Sequence, residues 1–438
     1  MLGLLLLLKG AAVAQTAALQ TALQTFVDGL AQKEGYAIGL AVKTADFELI
    51  VSANAAAEDT FLFGSGTKPF TAVGVMQLVE AGVVSLSDPV AMHIDPVLKD
   101  LTGNVSYTFG ALFGTAAAEV TVEHVLSMQS GIADWDVEDF DTKVLANGTA
   151  LHSPLEFIEN AAAQPSPYEG HFVCQPGTCV CYSSTNFQLA GLILLRHYNS
   201  SSKGPNAWRT LNQKVLFNRD GVNKTDYEDI QFFTDEALTR WLTVPGKSGS
   251  LFQKKTTILS QNSSILGWTC GNMVSPVLDV ARFFYALLGS KLNIVNAASL
   301  SEMTNFKPLS IGWAKGQISY GLGLMVQQTS PTMARAAKRA PQIGDEGAYV
   351  GHGGDTYGFL SEQGWYPLLN ASIVAVANED GNGAFVKNAV ACGAFSLSLS
   401  LSLSLYKCLP IYPPPSYVRL AVPLTTTTLL RFAAEKRR

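Results

Sequence analysis

The sequence predicts a mixed α/β (α+β) fold: an antiparallel β-sheet flanked by helices, with an all-helical segment of about residues 80 to 290 inserted into it. Three observations lead there. Strand-like segments lie at both ends of a span running over residues 15–395, helical patterns fill its middle, and a Ser-x-x-Lys pair opens the first strong helix. With 438 residues, 47% hydrophobic and 15% charged, the chain can bury a large core, and a disordered chain is excluded.

In chain order, the first element is not a fold element. Met1 to Gln15 resembles an export signal, with a short leucine core and the small-residue cleavage site Ala12-Val13-Ala14, so residues 1–14 are expected to be removed. Lys9 follows the core where a basic segment would normally precede it. The apolar core is too short to span a bilayer, and stable membrane insertion is not expected. Gly39 to Ser52 then reads as two short strands around a polar turn.

Ser65-Gly66-Thr67-Lys68 follows, and residues three apart on a helix share a face. A serine hydroxyl needs an adjacent base to become a nucleophile, and a desolvated lysine can lose its proton and be that base. Two further Ser-x-x-Lys copies, Ser200…Lys203 in a polar run and Ser404…Lys407 in a low-complexity tail, open no amphipathic helix. After Ser65, by contrast, Phe70, Val73, Met76, Leu78 and Val79 form an apolar stripe, Pro69 suits a first turn and Gly82 suits a stop. Ser65 thus falls at a helix N-terminus, where backbone N–H groups favour a developing negative charge.

Helical patterns interrupted by polar loops occupy the middle of the chain. Strand character returns at Tyr320–Val326, Gly358–Trp365 and Ser372–Asn378. From Ser396 the chain alternates Ser and Leu, then becomes Pro-rich, Thr-rich and basic; residues 396–438 are expected to lie outside the fold.

Net charge is −5 with no long basic run, which points away from nucleic acid or an anionic membrane and toward a small molecule or an extracellular polymer, and the expected partner is a small-molecule or peptide-like substrate. Asn104, Asn147, Asn199, Asn223, Asn262 and Asn370 head Asn-x-Ser/Thr sequences, in keeping with a secreted glycoprotein. The six cysteines are an even number, and Cys174, Cys179 and Cys181 cluster just before Tyr182, where a disulfide of undetermined pairing fits an oxidising compartment. That cluster lacks zinc-site spacing, so no metal is expected.

Two further segments carry chemistry. Tyr182-Ser183-Ser184-Thr185-Asn186 precedes the apolar run Leu189–Leu195, placing a phenol able to relay protons at a helix start. Gly351-His352-Gly353-Gly354-Asp355 leads into a strand, its glycines allowing close backbone approach to a ligand. Taken in order with Ser65 and Lys68, these segments resemble the class C β-lactamase-related group of the serine β-lactamase and penicillin-binding superfamily, which includes D-alanyl-D-alanine carboxypeptidases and esterases. Thr121 to Ile132, Asn272 to Phe283 and Tyr320-Gly-Leu-Gly are similar to other segments of that group, and the resemblance covers about residues 30 to 390.

The resemblance implies a β-lactamase/transpeptidase-like fold. It implies Ser65 as nucleophile, Lys68 as its base, Tyr182 as proton relay and His352 in the place of the group's third-motif cation. The N–H groups of Ser65 and Asp355 would form the oxyanion hole, Gly353, Gly354 and Ser184 would line the substrate site, and no metal or organic cofactor would take part. Two positions depart from the group. Ser184 stands where an Asn usually binds substrate, which bears on amide recognition more than on acylation. Asp355 replaces a small residue and would repel anionic substrates if it faces the cleft.

The expected function is therefore a serine hydrolase acting on esters or amides, including β-lactam or D-Ala-peptide-like ones. The rival is a binding or scaffold protein that keeps the fold after catalysis has decayed, which Ser184 favours and the retained Ser65, Lys68, Tyr182 and His352 oppose. Gly246-Lys247-Ser248 mimics the end of a phosphate-binding loop, but Trp241 occupies its first glycine, and no Gly-x-Ser-x-Gly elbow is present.

Overall fold

The computed structural model describes residues 2–165, 171–199, 201–238, 258–289, 293–312, 315–328, 339–345, 347–379 and 393. The Ser-Leu tail, Gly246-Lys247-Ser248, and the serines of both spare Ser-x-x-Lys copies lie outside the described residues.

Helix α1 (Leu2–Glu34) leads into the hairpin of β1 (Ile38–Lys43) and β2 (Glu48–Ala53), where the alternating pattern places one. A short β3 (Phe61–Leu62) and a 3-10 turn over Gly64–Thr67 precede α2 (Lys68–Glu80). Then come α3 (Val90–Thr102), α4 (Phe109–Phe113), α5 (Val122–Leu126), α6 (Glu138–Leu145), α7 (Pro154–Ala163) and α8 (Thr185–Tyr198). Strands β4 (Gln231–Phe232) and β5 (Met273–Ser275) are followed by α9 (Val277–Leu288) and α10 (Ala297–Met303). The described chain closes with β6 (Lys307–Pro308), β7 (Ser319–Tyr320), β8 (Met325–Gln328), β9 (Ala348–Thr356), β10 (Phe359–Tyr366) and β11 (Ala371–Ala377).

Eight strands form one antiparallel sheet in the order β2-β1-β11-β10-β9-β8-β7-β6. Both ends of the described chain meet in it: Leu40 of β1 lies opposite Ala375 of β11. Every residue of β11 is buried, because helices cover both faces of the sheet. On one face, Leu19, Leu23, Val27 and Ala31 of α1 recur every fourth position and pack on Ile38, Leu40, Val42 and Val51. On the other face lies α9, against β1, β10 and β11, and beyond it the larger core around Phe70, Phe187 and Phe283.

Between the sheet-forming ends, helices dominate, and a small second sheet β3-β5-β4 joins them, with Phe61 opposite Ser275 and Gln231 opposite Val274. Strands of two or three residues are too short for a period of two to register in sequence. The Gly351–Asp355 segment is also more regular than its composition suggests: it lies within β9, paired with β10 along its length and with β8 at Gly351, although glycine weakens strand propensity.

Candidate active site

The turn over Gly64–Thr67 and the first residue of α2 place Ser65 and Lys68 on one face, with Lys68 Nζ 2.8 Å from Ser65 Oγ. Pro69 occupies the first turn of α2, where its missing N–H costs nothing, and Gly82 ends the helical region with φ of 68°. Lys68 is fully buried, and its Nζ also lies 3.2 Å from the carbonyl oxygen of Cys270. Burial lowers the Lys68 pKa, since the charged ammonium loses its water; Asp134 and Asp136 oppose that fall.

Tyr182 comes from the loop before α8, and its hydroxyl hydrogen-bonds with Ser65. Burial drives this phenol well above its ordinary pKa, so it stays protonated and available as a donor. Its ring lies 5.1 Å from Lys68 Nζ, and that of Phe187 lies 5.8 Å away, which walls the amine off from water. The loop feeding Tyr182 carries a disulfide between Cys174 and Cys179, while Cys181 and Cys270 are free thiols.

His352, on β9, is fully buried, with its ring centroid 6.0 Å from that of Tyr182. Its Nδ1 donates to the Gly353 carbonyl at 2.6 Å, which leaves Nε2 to accept from the Tyr320 hydroxyl at 3.1 Å. Burial, then the neighbouring Lys68 charge, push its pKa down to about 3. Both causes favour the neutral form of His352, which occupies the third-motif position beside Tyr182.

Gly354 explains how β9 reaches the nucleophile. A Cβ added there would meet the Phe63 carbonyl oxygen at 1.8 Å, so only glycine lets the strand run against the segment preceding Ser65. The backbone of Asp355 abuts the same turn: a Cβ on Gly64 would sit 2.7 Å from the Asp355 carbonyl oxygen. The Asp355 side chain is exposed. Ser184 is buried and stands before α8 in helical conformation, without capping it; its N–H donates to Asp134 Oδ1 at 2.9 Å.

All of these groups line or underlie one cleft of about 500 Å³ whose walls include Ser65, Tyr182, Ser184, His352, Gly353 and Asp355. The same cleft is lined by residues that the sequence motifs did not single out, namely Trp135, Asp136, Asp141 and Tyr357, and Asp134 precedes Trp135. Their only sequence signal is position, because Asp134-Trp135-Asp136 directly follows the Ser130-Gly131-Ile132-Ala133 loop. Burial, helped by Asp136, pushes the Asp134 carboxyl up to about 7, and burial with Asp136 does the same for Asp141. Burial raises the Asp136 carboxyl as well and the Lys68 charge opposes that rise, although Asp136 is exposed at the cleft surface.

A sheet between helical layers, with a serine hydroxyl beside a buried lysine and a half-buried tyrosine, defines a class of acyl-transfer proteins. Within that class the assignment is specific: the model of the Beta-lactamase family matches residues 10–391, and the chain belongs to that family. It is a serine hydrolase of the β-lactamase and penicillin-binding superfamily, acting on amide or ester substrates. Solved structures share the fold. The D-stereospecific amidohydrolase from Streptomyces sp. superposes with TM-score 0.63 at 24% identity, over 85% of this chain and 99% of that one. The D-amino acid amidase from Ochrobactrum anthropi SV3, complexed with D-phenylalanine, gives 0.64 at 19% identity, over 88% and 100%. The penicillin binding protein from Bacillus halodurans gives 0.58 at 17% identity, over 83% and 98%.

Proposed function

We propose that this protein hydrolyses small amides or esters through an acyl-enzyme on Ser65. The observation that carries the reading is the 2.8 Å approach of a fully buried Lys68 amine to the Ser65 hydroxyl. Lys68 takes the proton as Ser65 Oγ bonds to the substrate carbonyl carbon, and the N–H groups of Ser65 and Asp355 stabilise the oxyanion. The bond to the leaving amine or alcohol then breaks, and that group takes a proton through Tyr182, which bonds Ser65 directly. Water attacks the acyl-enzyme by the reverse route and frees Ser65. His352 acts by packing: neutral and hydrogen-bonded to Tyr320, it holds the Tyr182 side of the cleft in place.

Similarity to proteins named as amidohydrolase and D-amino acid amidase supports small amides as the substrate class. The leucine-rich start and the Cys174–Cys179 disulfide support an exported protein.

The test is to express the full chain in a secretory host and expose wild type and Ser65→Ala to a fluorophosphonate probe and a fluorescent penicillin, mapping adducts by mass spectrometry. Labelling of Ser65 by both establishes a penicillin-reactive site; labelling by the fluorophosphonate alone establishes an esterase or amidase. Folded wild type without any Ser65 adduct would overturn the hydrolase reading in favour of a binding or scaffold protein.

A further inference from the structure

Asn-x-Ser/Thr sequences begin at Asn104, Asn147, Asn199, Asn223, Asn262 and Asn370, and the fold treats them in two ways. An oligosaccharide on Nδ2 is bulky and solvated, so the folded protein can carry one only where that nitrogen faces water. Four side chains meet the condition. Asn104 is exposed directly after Gly103, which ends α3 in the left-handed region. Asn147 is exposed in the loop between α6 and α7, where its Oδ1 accepts from the Thr149 hydroxyl at 3.1 Å. Asn223 is exposed as well; its Nδ2 donates to Asp226 Oδ1 at 3.1 Å, a surface bond that water replaces at little cost. Asn370 is exposed at the turn from β10 to β11, and its φ of 45° is one that asparagine tolerates better than most residues. This turn follows the end of β10 that lies away from Leu360, Ser361 and Glu362, which line the cleft.

Asn199 and Asn262 are instead engaged by the fold. Asn199, half-buried at the end of α8, donates Nδ2 to the Thr210 carbonyl oxygen at 2.9 Å and to the Thr210 hydroxyl at 2.6 Å. Asn262 donates its backbone N–H to the Gly148 carbonyl at 2.6 Å and Nδ2 to the Asp235 carbonyl at 2.9 Å, while its Oδ1 accepts from the Ser264 N–H at 2.9 Å. It thereby caps the 3-10 turn Ser263–Leu266, whose Ile265 and Leu266 line the cleft. A sugar on Nδ2 at either position would push apart two segments that the side chain joins.

We propose that Asn104, Asn147, Asn223 and Asn370 are N-glycosylation sites, and that Asn199 and Asn262 are structural side chains which the folded protein keeps unmodified. The donor class is a lipid-diphosphate-linked oligosaccharide: the bond from the sugar carbon to Nδ2 forms as the sugar–phosphate bond breaks, Nδ2 loses one proton, and the lipid diphosphate leaves. The assignment rests on the reading of the chain as an exported protein. None of the four asparagines is among the residues lining the cleft that holds Ser65.

The full chain is produced in mammalian cells in two forms, one with its own start and one behind a host export signal. Secreted, folded protein is treated with peptide N-glycosidase in water carrying heavy oxygen, which turns each glycosylated Asn into a mass-marked Asp, and its peptides are mapped. Behind the host signal, marks are expected at Asn104, Asn147, Asn223 and Asn370 and at neither Asn199 nor Asn262. A mark at Asn199 or Asn262, or no mark at one of the four, would overturn the proposal. If only the form with the host signal is secreted and marked as expected, the site assignment stands and the reading of the chain's own start as an export signal fails. Variants separate the two roles: Asn104→Gln should remove one glycan, read as a step in gel mobility, with the melting temperature nearly unchanged. Asn262→Ala should lower the melting temperature with mobility unchanged, because it removes a cap and no glycan. None of these readouts depends on hydrolysis at Ser65.

Discussion

At the residue scale, Lys68 carries two opposed influences. Loss of water lowers its pKa, and the carboxylates of Asp134 and Asp136 restore part of the proton's hold. Because the first prevails, the free amine is populated at lower pH than for an ordinary lysine near 10.4. The kcat/KM for a neutral ester should therefore rise with pH along a limb centred below that value and then level off. Lys68→Met should lose about 10²- to 10⁴-fold in kcat and lose the limb, since a positioned general base is worth that much. A pH–rate profile of both proteins on one neutral ester checks it. A limb unchanged in Lys68→Met would assign the base to another group.

Residue identity was legible in sequence where chemistry is local. Ser65 and Lys68 announce themselves by spacing on one helix face, and Tyr182 by its place at a helix start. Asp136 and Asp141 could not be found that way, because an acid becomes a site residue through what the fold places opposite it. The charge state of His352 was equally hidden: what lowers its pKa is total burial and then the Lys68 charge, both contributed by other segments.

At the element scale, α1 is the helix that the sequence did not announce. Its stripe of Leu19, Leu23, Val27 and Ala31 seals one face of the sheet, so residues from 16 onward belong to the folded core whatever happens to the leucine-rich start. Leu23 is fully buried in that contact. Leu23→Ala should cost roughly 2–5 kcal/mol, the range for deleting a large core side chain, and chemical denaturation read by circular dichroism should show it as a lower midpoint. The hairpin of β1 and β2 and the terminal strands β10 and β11 were visible because their alternating or continuous apolar runs exceed five residues. Strands β3 to β5 and the glycine-rich β9 were not, since pairing partners, more than composition, hold them extended.

At the scale of the whole molecule, the sheet is closed by distant segments. Strand β11 lies between β1 and β10, pairing Gly39 with Val376 and Ser361 with Val376, so it joins the N-terminal hairpin to the remainder of the sheet. A chain ended at residue 370 should fail to fold, because both neighbours would lose their backbone partners and α1 and α9 their shared floor. A chain ended at residue 395, which retains β11 and the family-matched span of 10–391, should keep the melting temperature of the full chain. Comparing the melting curves of the three chains decides it, and a large loss at 395 would show that residues 396–438 contribute to the fold.

The sequence by itself determined the elements whose information is local: helix and strand periods, the serine–lysine pair one turn apart, and the order of segments that marks the family. Only the tertiary structure decided the electrostatics of the cleft. Whether an acid is paired, a lysine dry or a histidine neutral depends on distance and burial between residues far apart in the chain, and those follow from the packing of the sheet and helices rather than from any one segment.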